Sequence, residues 1–410
     1  MFRILARSVL PVSSPAIREG GAVRVDDDGR VLEVGRTRDV AAGDRPDLDL
    51  GDVALAPGPI NAHTHLELSF VADRRPAGGD WVRWVERLIA IREDADPRAS
   101  AEAAARAIDR LLARGVVAVG DIANGPAAVD ALARSGLRAV VFHEVFRLRA
   151  SDAEAAMERA VVARDELRAR VASAGGAGRV EVTFAPHAPH TTSPALIRSL
   201  CEHARASGGR WSVHGAESAA EVAWLRDGRG PLAAFYRRRG LDRAGWSPPG
   251  VSPVVALDRC GALAPGALVV HAVHVDDDDL AVLRARGVRV VVCPRSNAYL
   301  GVGRAPVPRL LDAGIPVALG TDSLASCDDL DPFAEMAALR SDHPGIAPEA
   351  ILRSATLEGA RALGVDDAFG SIERGRVASL VAVPLTAPGD DPYETVTSGP
   401  ETVRPVRVPA

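Results

Sequence analysis

Eight of the ten histidines in this chain stand at the downstream ends of short apolar runs that read as strands. Histidine is the commonest metal-binding side chain near neutral pH. The downstream ends of strands are where a barrel or open α/β sheet gathers its reactive groups. That placement points to a metal enzyme. His63 and His65 lie in PGPINAHTHLELSF. In extended chain, residues i and i+2 share a face, so both imidazoles can reach one mouth. Two polar residues in a turn would be the plain alternative, and position at a strand end gives the pair its weight. His214, in SVHGAE, can supply a third nitrogen or serve as a hydrogen-bonded core residue. A catalytic zinc site takes three protein ligands and leaves a position for water. Glu217 follows His214 closely enough to exchange a proton with such a water.

Other candidates sit at further strand ends. His271 in LVVHAVHV reaches toward the mouth, and His274 reads as a loop-edge residue. Asp322 in ALGTDS can ligate a metal and accept a proton; the competing role is a helix N-cap, which Ser323 can also fill. His187 and His190 in APHAPHTTSP, with prolines fixing the turn, read as substrate contacts. His143 receives no role. Arg147 and Arg149 in FRLRA can receive an anionic substrate group, against a solvated surface role in a chain with 49 basic residues. Trp81 and Trp84 are spaced for packing on a helix face, with Trp84 carried as a candidate aromatic pocket wall.

Eight strand candidates position these residues: LAPGPINAHTH, VVAVGDIA, RAVVFHEVF, VEVTFAPHAPH, RWSVHGAE, LVVHAVHV, VRVVVCPRSN and PVALGTDS. Helical patterns such as AEAAARAIDRLLARG, SDAEAAMERAVVARDELRARVA and SPALIRSLCEHARASG alternate with them. Val-rich, nearly continuous apolar strands between helices fit a parallel sheet covered on both faces. Eight such units predict a (β/α)8 TIM barrel over residues 57–365, and a doubly wound sheet is the alternative. Residues 1–56 read as β-rich, with DDDG as a hairpin turn. The tail turns β-like again in GSIERGRVASLVAVPL. Residues 1–56 and 366–410 are therefore expected to form one small β-sandwich domain. The long excursion between Ser218 and Ala267, with the loop-like GWSPPGVSP, is a candidate lid or wall.

Composition excludes several functions. The 410 residues are 47% hydrophobic and 25% charged with net charge −5, ordinary for a soluble globular protein and no electrostatic case for nucleic acid. No apolar run reaches membrane-span length, and MFRILARSVLPVSS is a poor signal peptide. Four scattered cysteines without a C-x-x-C pair favour reduced thiols and a cytoplasmic location. All 49 basic residues are arginine. A lysine Schiff base and a lysine-derived carbamate bridging two metals are thereby ruled out. No interface is readable, which leaves homo-oligomerisation open.

The ordered set PGPINAHTHLELS, APHAPHTTSP, SVHGAE, VVHAVHV, VVVCPRSNAYLGVG and VALGTDSLAS, followed by ATLEGARALG and GSIERGRVASLVAV, resembles the amidohydrolase superfamily, in its deaminase and chlorohydrolase-like branch. The resemblance spans nearly the whole chain. It implies His63, His65, His214 and Asp322 at one divalent metal, zinc or alternatively iron. It implies Glu217 as proton shuttle and His271 as an orienting group, with His187 facing substrate. His190 stands where a tyrosine is more common, and Ser379 replaces an aspartate of the tail motif. The implied reaction is hydrolytic deamination of an aminopurine nucleoside by water. The narrowest expectation is 6-aminodeoxyfutalosine, beside adenosine, S-adenosylhomocysteine and methylthioadenosine. Hydrolysis of another C–N or a C–Cl bond is the runner-up, and a non-catalytic metal- or ligand-binding barrel is the reading from a different class.

Overall fold

All eight expected barrel strands form in the computed structural model, which describes residues 1–239 and 247–406. They are Ile60–Thr64, Ala118–Ala123, Arg138–Val145, Val180–Pro186, Trp211–Gly215, Ala267–His271, Arg289–Val292 and Val317–Leu319. They lie side by side in sequence order, each parallel to the next. A parallel bridge between Thr64 and Asp322 joins the last strand to the first. There the carbonyl of His63 accepts from the N–H groups of Thr321 (3.0 Å) and Asp322 (3.1 Å), and His65 N–H donates to the Asp322 carbonyl at 2.9 Å. The sheet is a barrel closed at its mouth.

The Val-rich runs follow from burial on both faces. Ile60, Ala62, Ile122, Val140, Phe142, Leu268, Val270 and Val291 point inward and fill the barrel. Their alternates Val119, Val141 and Val182 point outward, the first two against Ala104, Ala107, Ile108 and Leu111 of helix Pro97–Ala113 in the same cluster. Asp96 caps that helix through the N–H groups of Arg98 and Ala99. The other two helical patterns form as Ala153–Ser173 and Pro194–Ala206.

Two sequence expectations change. The strand expected over VRVVVCPRSN stops at Val292, and Pro294 opens helix Pro294–Leu300. Proline has no N–H to lose at a helix start and its fixed φ suits that position. The excursion after Ser218 is largely helical, with helices Ala219–Asp227, Pro231–Arg238 and Pro253–Arg259. Of its GWSPPGVSP stretch, Gly245 and Trp246 lie outside the described residues.

The two ends of the chain build a small β domain. One four-stranded sheet orders Val31–Arg36, Gly21–Val25, Phe2–Ala6 and Leu48–Asp49; the other orders Arg404–Val406, Leu380–Pro384, Val53–Pro57 and Ser8–Val9. Their apolar faces share one core, including Ile4, Val9, Val23, Val31, Leu55, Ile372 and Leu380. The DDDG turn is a hairpin: Asp26 Oδ1 accepts from the N–H groups of Asp28 and Arg30, and Gly29 has φ +74°.

Gly320 runs so close to the seam that a Cβ there would sit 2.8 Å from both the Cβ and the carbonyl oxygen of His63. Gly320→Ala is expected to lose about 1–3 kcal/mol of stability by overpacking, read as a lower denaturant midpoint. Equal midpoints would show that the seam yields. Below the seam, helix Pro332–Asp342 buries Glu335 completely. Burial pushes its carboxyl up to about 8, although the backbone N–H and guanidinium of Arg295 pull the other way. Between the ordinary value of 4.5 and about 8, the fold holds a proton that the unfolded chain has released. Stability should therefore fall as pH rises through that window. Glu335→Gln is expected to flatten this fall, so that it is more stable than wild type above about pH 8. Urea unfolding across pH checks this, and parallel curves for the two proteins would refute it.

Candidate active site

A cavity of about 1160 Å³ opens at the downstream ends of the barrel strands, with His65, Glu217, His214, His271 and Asp322 among its lining residues. The expected site residues thus meet in one place although 259 positions separate His63 from Asp322. The ring of His63 lies 5.0 Å from those of His65 and His214 and 6.0 Å from that of His271, centre to centre. Among the described residues, three groups have ligand atoms within 4.8 Å of one another: His63, His214 and His271; His63, His65 and Asp322; and Glu144, His187 and His214. Asp322 Oδ1 lies 3.8 Å from His63 Nε2 and 3.5 Å from His65 Nε2.

Several residues at or just past the strand ends adopt conformations that L residues rarely take. Ala216, His271 and Asp322 have φ of +55°, +74° and +60°, each costing about 1–3 kcal/mol. Side-chain bonds fix what the backbone strains. The His214 Nδ1–H donates to the carbonyl of His187 at 3.1 Å. Because a carbonyl only accepts, the lone pair of His214 is on Nε2. His271 Nδ1 bonds Asn297 Oδ1 at 3.0 Å, which likewise leaves Nε2 as the free nitrogen. Asp322 Oδ2 accepts from Ser296 (2.5 Å) and Ser326 (2.9 Å) hydroxyls. Asp322 does not cap a helix, since the residues after it form a turn.

Burial sets the protonation states. It lowers the imidazole of His63 well below the ordinary value, with neighbouring histidines pulling the same way, and that of His65 to about 4 although Asp322 and Glu144 oppose the shift. Neutral imidazoles present lone pairs. The two carboxylates diverge. Burial raises Glu217 to about 7. Burial also acts to raise Asp322, but His65, His271 and the two serine hydroxyls outweigh it and hold the carboxyl below its usual range. Glu217 Oε1 accepts from the indole N–H of Trp81 at 2.9 Å and lies 3.8 Å from His271 Nε2. Its own backbone N–H donates to Glu221 Oε2 at 2.8 Å.

His187, His190, Trp84, Arg147 and Arg149 also line the cavity. His187 Nδ1 is tied to Thr191 Oγ1 at 2.7 Å. His190 is buried, with Nδ1 3.5 Å from Glu221 Oε1. The Trp84 indole N–H donates to the Ala325 carbonyl. His143 turns away and packs against Phe184, and His274 bonds the Val302 carbonyl. Sequence reasoning missed Trp81, Ser296, Asn297 and Glu144. Glu144 follows His143 on the third barrel strand, so strand alternation could have found it. Its Oε2 accepts from Asn124, and its buried Oε1 has no hydrogen-bond partner and stands 3.8 Å from His214 Nδ1. Nothing local marked Ser296 or Asn297, and the helix-face spacing of Trp81 and Trp84 did not show which of the two meets Glu217.

Known proteins resemble this chain in sequence and fold. Residues 54–407 match the model of the amidohydrolase family. A 5-methylthioadenosine/S-adenosylhomocysteine deaminase of Natronomonas pharaonis is 32% identical over 394 residues, covering 93% of this chain and 84% of that protein. An aminodeoxyfutalosine deaminase of Deinococcus radiodurans is 34% identical over 354 residues, covering 82% and 81%. Among solved structures, an adenosine deaminase from Xanthomonas campestris with bound zinc is 28% identical with a TM-score of 0.79, covering 97% of this chain and 88% of that one. Helicobacter pylori aminofutalosine deaminase in complex with methylthio-coformycin shares the fold at TM-score 0.85 and 23% identity, covering 97% and 95%. With a family match over most of its length and relatives above 30% identity, the chain belongs to the amidohydrolase family.

Proposed function

We propose that this protein is a metal-dependent hydrolase that deaminates an aminopurine nucleoside. The observation that carries the reading is the Glu217 carboxylate, bonded to Trp81 and facing His271, beside the histidine–aspartate cluster on the floor of a large cavity. The donor set fits a divalent metal: His63 Nε2 is buried without a hydrogen-bond partner, and its neighbours offer neutral nitrogens and a carboxylate oxygen. We assign His63, His65, His214 and Asp322 as the residues that would hold it. Zinc is the ion we favour over iron, in keeping with the zinc-bound Xanthomonas campestris structure. When bound, such an ion brings the pKa of a coordinated water to about 7.

The chain's own groups then handle the protons. Asp322 keeps Oδ1 toward the histidines while its Oδ2 is occupied by two serines, so Oδ1 is the atom that takes a proton from the attacking water. Glu217, balanced near neutrality, gives its proton to the ring nitrogen next to the amine-bearing carbon; the proton held on Asp322 then passes to the amine, the C–N bond breaks to release ammonia, and the proton of the added hydroxyl returns to Glu217. Separating two carboxylates in this way is how one site runs acid and base steps at one pH. His271 Nε2 orients the water or the amine. His187, His190 and Trp84 form the wall against the nucleoside, and Arg147 and Arg149 at the rim suit a carboxylate on its far end. We therefore place 6-aminodeoxyfutalosine first, supported by the Deinococcus radiodurans relative. The Natronomonas pharaonis relative keeps methylthioadenosine and S-adenosylhomocysteine in contention. No helix among the described residues is long and apolar enough to cross a membrane, and we assign the enzyme to the cytoplasm. We assign its barrel to residues 57–365 and its small β domain to 1–56 with 366–410.

Ammonia release should be measured over a panel of aminopurine nucleosides with and without a carboxylate. Turnover of at least one is expected; none would favour hydrolysis of another C–N or a C–Cl bond. Glu217→Gln should keep its metal, measured by elemental analysis, and lose at least about 10²-fold in kcat, the usual worth of a general acid–base group. Full activity would sink the assignment. His63→Ala should lose metal; an unchanged metal content would reject the ligand set. Trp81→Phe should keep metal and lower kcat about tenfold, because a hydrogen bond to a charged group is worth about 1.5–3 kcal/mol. Unaltered kcat would mean that Glu217 needs no indole to orient it.

A further inference from the structure

We infer that Glu335 is a positioning residue for this site: from behind the cavity it fixes the short helix Pro294–Leu300, and that helix holds both Asp322 and His271. The inference rests on the functional reading above. The helix has no cap of its own, since Cys293 at its N-cap makes no side-chain bond to the first turn. Glu335 reaches in from helix Pro332–Asp342, and its Oε2 accepts from the Arg295 N–H at 3.1 Å. Its Oε1 lies 3.9 Å from the Arg295 guanidinium and 4.0 Å from the Cys327 thiol. One buried carboxyl group thus reaches both segments that converge on Asp322: the helix start and the turn after the last barrel strand.

The two residues that follow Arg295 face the site. Ser296 donates to Asp322 Oδ2, and Asn297 bonds His271 Nδ1. Both of the groups they hold have left-handed backbones. A strained backbone persists only where its surroundings over-determine it, and here the same helix supplies a bond to each. A shift at Arg295 therefore moves both holds together. Glu335 is not among the residues lining the cavity, so it acts through the helix and not on substrate.

A side chain that merely fills space would predict lost stability and nothing more. If the acceptor for the Arg295 N–H is what counts, Gln can replace Glu335 and Leu cannot. The test compares wild type, Glu335→Gln and Glu335→Leu in two readouts. One is zinc affinity without substrate, by competition with a chromophoric chelator. The other is kcat and KM on a nucleoside that wild type deaminates. Glu335→Leu is expected to weaken zinc binding about tenfold, the lower end for residues that orient ligands, and to lower kcat with KM unchanged. Glu335→Gln should restore both. A folded Leu variant with wild-type zinc affinity and kcat overturns the inference, as does a Gln variant impaired as much as Leu. Should the Leu variant fail to fold, Arg295→Pro removes the donor instead, and Arg295→Ala removes only the side chain. Loss in the first and not the second is expected, and equal behaviour overturns the inference. A wild type that binds zinc but deaminates no nucleoside overturns the functional reading alone, because the zinc comparison still decides the role of Glu335.

Discussion

The His63 carbonyl accepts two backbone N–H groups from Thr321 and Asp322, and the Asp322 carbonyl accepts from His65 N–H and from the Thr64 hydroxyl at 2.9 Å. These bonds join the last barrel strand to the first, and the residues that make them also carry much of the site. Closure of the barrel and assembly of the histidine–aspartate cluster are consequently one constraint. A strand slipped by one residue would turn its side chains to the opposite face, so the seam's register decides whether His63 and Asp322 meet at all. Gly320 is small because the His63 backbone passes where a side chain would be. The Asn61 side chain bridges the same gap, donating to the Thr321 hydroxyl and accepting from the Thr321 N–H.

The seam brings the groups together; burial then sets what they can do. Withdrawn from water, the imidazoles are neutral and Glu217 titrates near neutrality. Asp322, equally withdrawn, stays ionised: the Ser296 and Ser326 hydroxyls donate to it, and the charge that His65 and His271 take up only in acid opposes its protonation. The difference between the carboxylates lies in their partners, not in their depth. Hydroxyl donors at Asp322 favour the ionised form, whereas the single indole donor at Glu217 only partly offsets desolvation.

The fold was largely legible because parallel strands buried on both faces leave Val-rich runs of unmistakable length. His63, His65, His214, His271 and Asp322 were legible because they follow such runs. What escaped was everything set by a chain reversal or by contact across distant elements. PRSN read as the end of a strand, yet its proline starts a helix that turns Ser296 toward Asp322 and Asn297 toward His271. Trp81 and Trp84 share a helix face, but only the partner each finds elsewhere in the chain, Glu217 or Ala325, tells them apart. Glu144 is masked for a different reason: its neighbour His143 is the more obvious metal-binding residue type, yet that side chain points to the other face of the strand.

The cavity divides between chemistry and recognition. Its floor is polar and comes from strand ends, whose positions the barrel fixes. Its walls are mostly apolar and come from added segments: Leu68, Trp84 and Leu88, packed in one cluster with Leu232, Phe235 and Tyr236 from the helical excursion. The rim carries Arg147 and Arg149, on the loop after the third barrel strand. The floor groups depend on one another through the seam and the helix behind it, so a change at any one disturbs the rest. A barrel built this way can alter the outer part of its substrate by changing loops while the proton chemistry beneath stays intact. That asymmetry explains why the site's reaction is easier to read from this chain than the group that fills the outer cavity.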